Sequence, residues 1–252
     1  MKNICLWIGL LLLLQRPLCA QIKNGYADDF AGAQSSLKHL TSLLKTPFLT
    51  PAERKKLEHG KKATTDNIVH YQLTQQLLAD FRLISPDLYN EIDTLADDHG
   101  RKTVVYVKFV PDENNAGTSH GVTYLTCMPK DSSETSQMTE VSIQIEIRIA
   151  RKALVVLAHE FGHLRYIIPH LTDYLEYYSR TYSQIASDPD FAGHNESDVS
   201  GKTAEAFEKR YRLSRYSHWK AQEKVADPVS IAMDIRKRLV PIDSSTASLK
   251  SR

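Results

Sequence analysis

The chain has 252 residues, and its 32 Lys and Arg residues nearly balance 30 Asp and Glu residues, for a formal net charge of +2. Such a small net charge gives no general electrostatic attraction to nucleic acid or to an anionic membrane, so we predict no nucleic-acid partner. The length is sufficient for a sizeable hydrophobic core, in one domain or in one domain with a helical extension.

The N-terminus has the pattern of a secretory signal peptide. A positive charge at Lys2 precedes the apolar run Ile4–Leu14, which is too short to span a bilayer. We therefore predict that residues 1–20 are a cleaved signal peptide and that the mature protein begins at Gln21. The mature chain is predicted to have no transmembrane segment. The expected location is secreted or periplasmic.

A lipoprotein modified at Cys19 is the alternative, and it is disfavoured because Leu18 occupies a position where a small residue is expected. Cleavage after residue 20 removes Lys2 and Arg16 but no acidic residue, so the net charge of the mature chain becomes 0. Only Cys127 then remains. An exported chain with one cysteine has no internal disulfide, and its stability must come from the core.

Residues 21–100 are predicted to form a helical N-terminal region. The segment Thr50–Glu53 is a good helix start, because proline is tolerated at the first helical position and an acidic side chain suits the first turn. The long helix that follows should stop near Ser85 and Pro86. A shorter helix is expected from Asp87 to about Asp97, ending at Gly100.

Three β-strands are predicted next, at Thr103–Val110, Gly121–Cys127 and Val141–Ile149. The third has the clearest pattern, since apolar residues alternate strictly with polar ones along it. The fold class is therefore α+β: mostly helical, with a small mixed β-sheet that precedes a further helix from about Arg151.

That helix carries the most informative motif of the chain. His159 and His163 are four residues apart, which places both imidazoles on one helical face within reach of a single metal ion. Glu160 follows the first histidine and is positioned to contact a water on that metal rather than the metal itself. Gly162 allows another segment to approach the helix closely.

This H-E-x-x-H pattern resembles the zincin superfamily of zinc metallopeptidases. The resemblance covers the strand–helix unit and little of residues 27–98. It implies a Zn²⁺ ion bound by His159 and His163, a zinc-activated water, Glu160 as general base and a peptide or protein substrate. It also implies an edge strand beside the active helix that binds extended peptide through its backbone.

Catalytic zinc usually takes three protein ligands, so one ligand is still missing. The position expected in metzincins is Pro169, and the adjacent His170 is a weak substitute. A thermolysin-like arrangement would use Glu205 or Glu208 on a following helix. The loop-to-helix junction at 193–201 offers His194 and Asp198, which are our preferred candidates; they remain alternatives to each other, and Asp198 is also a plausible helix N-cap.

A helix is expected from Ser200, with Ala204, Phe207, Glu208 and Tyr211 along one face. The predicted organisation is thus a signal peptide at 1–20, a helical region at 21–100, a zincin-like catalytic domain at 101–240 and a polar tail at 241–252. The predicted function is an exported zinc metallopeptidase. The alternative is a catalytically idle zincin-like module that binds metal or another protein.

Overall fold

The computed structural model describes residues 20–110, 120–126, 138–149, 152–173, 175, 199–217 and 228–239. It shows a mixed α+β fold that is mostly helical, with one four-stranded sheet, as predicted from the sequence. Among the described helices, none is both long and apolar enough to cross a membrane.

The helical elements follow one another along the chain and are numbered in that order. They are α1 (Ala27–Leu43), α2 (Pro51–Ile84), α3 (Pro86–Asp93), α4 (Ala153–Ile167), a 3-10 turn (Ile168–His170), α5 (Val199–Ser217) and α6 (Pro228–Leu239). The predicted start of α2 is confirmed. Thr50 accepts from the backbone N–H of Glu53, and the Glu53 side chain accepts from the backbone of Thr50, which forms a capping box.

The strands are β1 (Gln21–Asn24), β2 (Lys102–Phe109), β3 (Gly121–Leu125) and β4 (Glu140–Ile147), arranged in the order β1-β2-β4-β3. β1 and β2 run parallel, as do β2 and β4, whereas β3 runs antiparallel to β4. The last three are the predicted strands, each within two residues of its expected bounds. β4 is internal, so among the strands described β3 is the outer one on that side of the sheet.

Two parts of the N-terminal prediction were wrong. β1 was missed, and the helix expected to run from Asp87 to Asp97 ends at Asp93. The Asp97 side chain accepts from the backbone N–H groups of His99 and Arg101, which bends the chain before β2. Gly100 adopts a φ of 69° in this bend, a conformation that glycine tolerates at little cost.

One hydrophobic core holds the fold together. The buried face of the sheet carries Val105, Val107 and Phe109 of β2 beside the alternating aliphatic residues of β4. α2 and α4 cover this face, α5 packs on α4, and α1 and α6 pack on α2. Phe81 of α2 stacks on Tyr211 of α5 and meets the ring edge of Phe161 of α4. The core therefore draws on residues from both sides of position 100.

Candidate functional site

The two motif histidines lie one turn apart on α4. Their ring centroids are 5.1 Å apart and the ring planes are inclined by 80°. Both side chains are partly buried where α4 faces α5, and His159 retains 18% of its side-chain exposure. The sequence prediction that both imidazoles share one helical face is confirmed.

Glu160 is directed towards β3. Thr123 donates a hydrogen bond from Oγ1 to Glu160 Oε2 over 2.6 Å. Gly121 lies beside the same carboxylate, and a Cβ atom at that position would be 2.6 Å from Glu160 Oε1 and 2.6 Å from Val156 Cγ1. Glycine is therefore needed here because any larger residue would displace the strand or the carboxylate.

The Glu160 side chain is almost fully buried, with 6% of the residue exposed. Burial raises the pKa of this carboxyl group, while the hydrogen bond from Thr123 and the neighbouring His159 act in the opposite direction. A carboxylate whose pKa is raised is a stronger base than one in water, which suits a group that must accept a proton near neutral pH.

α5 crosses α4 at Gly162. A Cβ atom on Gly162 would be 2.4 Å from Ala204 Cα and 2.9 Å from the Ala204 carbonyl oxygen. The close approach predicted for this glycine is confirmed, and the approaching segment is the helix that begins at Val199. The apolar face of α5 is also confirmed, since Ala204, Phe207 and Tyr211 are fully buried.

This crossing brings Glu208 to His159. Glu208 Oε2 lies 3.0 Å from His159 Nδ1. The other oxygen of Glu208 accepts from Nε of Arg212 over 2.7 Å, one turn further along α5. An ionised carboxylate can only accept hydrogen bonds, so His159 donates from Nδ1 in this contact; in the neutral imidazole that tautomer has its lone pair on Nε2.

His163 makes the equivalent contact one turn away. Its Nδ1 lies 2.8 Å from Ser200 Oγ, in the first turn of α5. Both motif histidines are thus oriented through Nδ1 by oxygen atoms of the same helix. In metalloproteins, ligating histidines usually bond a carboxylate, a carbonyl or a water through the ring nitrogen that does not hold the metal.

The predicted third ligands have different outcomes. His194 and Asp198 lie outside the described residues. His170 is exposed, its Nδ1 lies 2.9 Å from the carbonyl oxygen of Tyr166, and its ring stacks on that tyrosine. Glu205 is exposed on α5, whereas Glu208 contacts His159. Across the described ranges, no group of three or more His, Cys, Asp or Glu side chains is arranged to hold a metal ion.

Sequence reasoning missed the strand contribution to the site. Thr123 and Gly121 belong to the same face of β3, opposite Ile145 and Ile147 of β4, and that face turns towards α4. The sequence shows that Gly121 and Thr123 are two residues apart and so share a strand face. It does not show that this face packs against Glu160, which depends on the tertiary structure. Ser200 was expected only as the start of a helix, and its contact with His163 was not foreseen.

The residues that are present suit a zinc ion. Neutral imidazole nitrogens are among the usual protein ligands of zinc. Two histidines one helical turn apart can reach one zinc ion with Zn–N distances of ~2.0–2.1 Å, and the ring centroids of His159 and His163 are 5.1 Å apart. Comparisons of this chain with protein-family models, with curated proteins and with solved structures return no match.

Proposed function

We propose that this protein is an exported zinc metallopeptidase, with His159 and His163 as metal ligands and Glu160 as general base. The observation that supports this most strongly is the matched pair of contacts at Nδ1, from Glu208 to His159 and from Ser200 to His163. A histidine that binds a metal through Nε2 is usually oriented by a hydrogen bond at Nδ1, and here both motif histidines are contacted at Nδ1 from one helix.

Zinc, when bound, would make a water acidic enough to lose a proton near neutral pH and would polarise the scissile carbonyl. The chain's own residues provide the rest. Glu160 accepts the proton from the attacking water and later gives it to the leaving amine. Thr123 holds the carboxylate of Glu160 through Oε2, so the other oxygen, Oε1, is the one available for proton transfer.

β3 is the natural place for a peptide substrate. It borders α4, it pairs with β4 on one side, and no other strand in the described part of the chain pairs with its outer side. An extended peptide that adds to this edge would lie alongside Gly121 and Thr123, next to Glu160. Backbone pairing of this kind gives affinity with little dependence on side-chain sequence.

The decisive test is Glu160→Gln. This substitution keeps the size of the side chain and removes no metal ligand, so the variant should bind as much zinc as the parent protein. Turnover should fall by roughly 10²–10⁴-fold or more, because a general base contributes about that much. Metal content is measured by elemental analysis, and cleavage is measured on an unfolded protein and on a peptide library, with a chelator control.

The outcomes separate the two functional alternatives. If Glu160→Gln cleaves as fast as the parent, the proposed mechanism is wrong even where zinc is present. If the parent binds zinc but cleaves nothing across a broad library, the chain is the catalytically idle module. A native protein that cannot be loaded with zinc excludes the peptidase and leaves, of the alternative, only a module that binds another protein.

The third ligand needs its own panel of variants. His194→Ala and Asp198→Asn test the two preferred candidates. The true third ligand is the one whose loss weakens zinc binding as severely as His163→Ala does. Since metal binding is linked to folding, that variant should also lose the increase in melting temperature that zinc gives the parent.

A further inference from the structure

α1 and the first half of α2 form a helical hairpin that contributes little to the core. The buried residues of α2 begin at Thr65, so none lies within Pro51–Thr64. Leu37 is the one buried residue in α1. At 1.5 Å per residue, residues 51–64 extend for about 21 Å. The hairpin has its own small contact, in which Leu40 packs against Gly60.

Positive charge is concentrated on this hairpin. Residues 38–62, which we call the basic tip, carry seven basic and two acidic side chains, a net charge of +5. The seven are Lys38, Lys45, Arg54, Lys55, Lys56, Lys61 and Lys62, and all except Lys61 are exposed. Because residues 21–252 sum to zero, the remainder of that chain carries −5. The chain without residues 1–20 is therefore neutral overall, but its positive charge is concentrated in the basic tip and its negative charge lies elsewhere.

The apex of the basic tip is apolar. Phe48 lies in the turn between α1 and α2 and keeps 91% of its surface exposed, the largest value among the exposed hydrophobic residues of the described chain. The turn is well defined, since Lys45 and Thr46 donate to carbonyl groups at the end of α1 and the capping box fixes the start of α2. Phe48 is thus presented by ordered backbone on both sides.

The C-terminal helix extends the basic surface along α2. Arg236 lies 3.2 Å from Asp66, one helical turn beyond Lys62. Arg236 is followed by Lys237 and Arg238 in the last turn of α6, and all three are exposed. Two acidic side chains lie beside these cations, and each is paired with one of them: Asp66 with Arg236 and Asp234 with Lys237.

We propose that the basic tip docks on an anionic phospholipid membrane surface. Phe48 would enter the boundary between headgroups and acyl chains, while Lys45, Arg54, Lys55 and Lys56 contact lipid phosphates. Three of these cations, Arg54, Lys55 and Lys56, lie within about 9 Å of Thr50 along α2, comparable to the Debye length of ~8 Å at physiological salt. An aromatic apex ringed by lysines matches the composition of surfaces that bind the lipid interface.

The shape of the tip favours a membrane over nucleic acid. Single-stranded nucleic acid is bound in charged grooves lined with several aromatic side chains on which bases stack. The tip is a convex apex with one aromatic residue, and six of its seven cations are lysines, which bind phosphate as point charges rather than reading bases. A lipid surface requires only such a convex, positively charged contact.

The test is vesicle co-sedimentation of the purified protein at physiological salt. Vesicles of phosphatidylglycerol mixed with phosphatidylcholine should bind the protein, and pure phosphatidylcholine vesicles should not. Each basic residue near an anionic surface contributes about fivefold. Lys55→Glu with Lys56→Glu should therefore weaken binding by at least ~25-fold. Phe48→Ser should weaken it by about tenfold or more.

Matched controls make the result specific. Lys202→Glu with Lys209→Glu causes the same change of net charge on exposed positions of α5, which packs on α4, and should leave vesicle binding almost unchanged. Circular dichroism confirms that each variant is folded. Equal binding to both kinds of vesicle, equal loss in the control variant, or binding to single-stranded DNA that exceeds binding to anionic vesicles would each overturn the proposal. Zinc and peptidase activity play no part in the assay.

Discussion

Glu208 is the residue through which α5 acts most directly on the candidate metal site. Its carboxylate lies between His159 and Arg212, so that one oxygen orients the imidazole while the guanidinium holds the other. Groups in this position typically affect metal affinity by about 10- to 100-fold. We therefore propose that Glu208 positions His159, a role that can be tested separately from that of a direct ligand.

We expect Glu208→Gln to weaken zinc binding by about 10- to 100-fold without loss of the fold, because the amide keeps the shape but not the charge. Zinc affinity is measured by competition with a coloured chelator. Glu205→Gln is the matched control, since Glu205 is exposed on the same helix. A complete loss of zinc in Glu208→Gln would instead identify Glu208 as a ligand, and unchanged affinity would contradict any role at the site.

For individual residues, the sequence predicted the H-E-x-x-H motif but few of the side chains that contact it. The spacing of His159, Glu160 and His163 follows from helix geometry and needs no tertiary information. The partners Thr123, Ser200 and Glu208 are 37 to 49 residues away in the chain. Their identity depends on how β3 and α5 pack on α4, which no local pattern specifies.

At the scale of elements, the crossing of α4 and α5 at Gly162 determines the geometry of the site. The helices approach so closely that the Ala204 backbone occupies the space of a Cβ atom on Gly162. Next to this crossing, His163 of α4 contacts Ser200 of α5. Any residue larger than glycine must therefore separate the helices and lengthen the contact between Ser200 and His163.

Gly162→Ala should lower the free energy of unfolding by about 1–3 kcal/mol, the usual cost of overpacking, despite the better helix propensity of alanine. It should also weaken zinc binding. Gly32→Ala is the control, because Gly32 is exposed in α1 and a methyl group added there would have no atom within 4 Å. That change should be neutral or stabilising by up to ~1 kcal/mol. Urea denaturation of both variants checks the contrast, and equal effects would contradict close packing at Gly162.

The elements themselves were predicted unequally. The capped start of α2 and the alternation of β4 are local signals, and both were confirmed. β1 is only four residues long and is defined by its parallel pairing with β2, so it has no distinctive pattern of its own. The end of α3 was misplaced because the Asp97 side chain competes for backbone N–H groups that a longer helix would have used.

For the whole molecule, the same Asp97 connects the two parts of the chain. Its buried carboxylate accepts two hydrogen bonds from the Arg101 side chain, from Nε and from a terminal nitrogen, each over 2.9 Å. Arg101 also donates to Asp98 and to Thr172, which follows the 3-10 turn after α4. The entry to β2 and the end of the helix that carries His159 and His163 are thereby joined through one buried cation.

This network predicts how stability depends on pH. Burial alone would raise the pKa of Asp97, but the hydrogen bonds and charge of Arg101 outweigh it and lower that pKa well below its ordinary value. A carboxylate with a lowered pKa in the folded state binds protons more readily when unfolded. It therefore contributes stability above the unfolded pKa of about 3.9, and this contribution is lost as the pH falls towards the folded pKa.

Asp97→Asn should accordingly reduce the free energy of unfolding by about 3 kcal/mol at pH 7, because it leaves a buried arginine with weaker partners. The difference in melting temperature between parent and variant should stay constant from about pH 5 to pH 8 and shrink below about pH 4. Asp173→Asn, at an exposed position near Thr172, is the control and should track the parent throughout. The measurement is thermal unfolding followed by circular dichroism in steps from pH 3 to pH 8. A parent–variant difference that does not shrink in acid would show that the Asp97 carboxylate is not held ionised by Arg101, and the connection between the two parts of the chain would then need another origin.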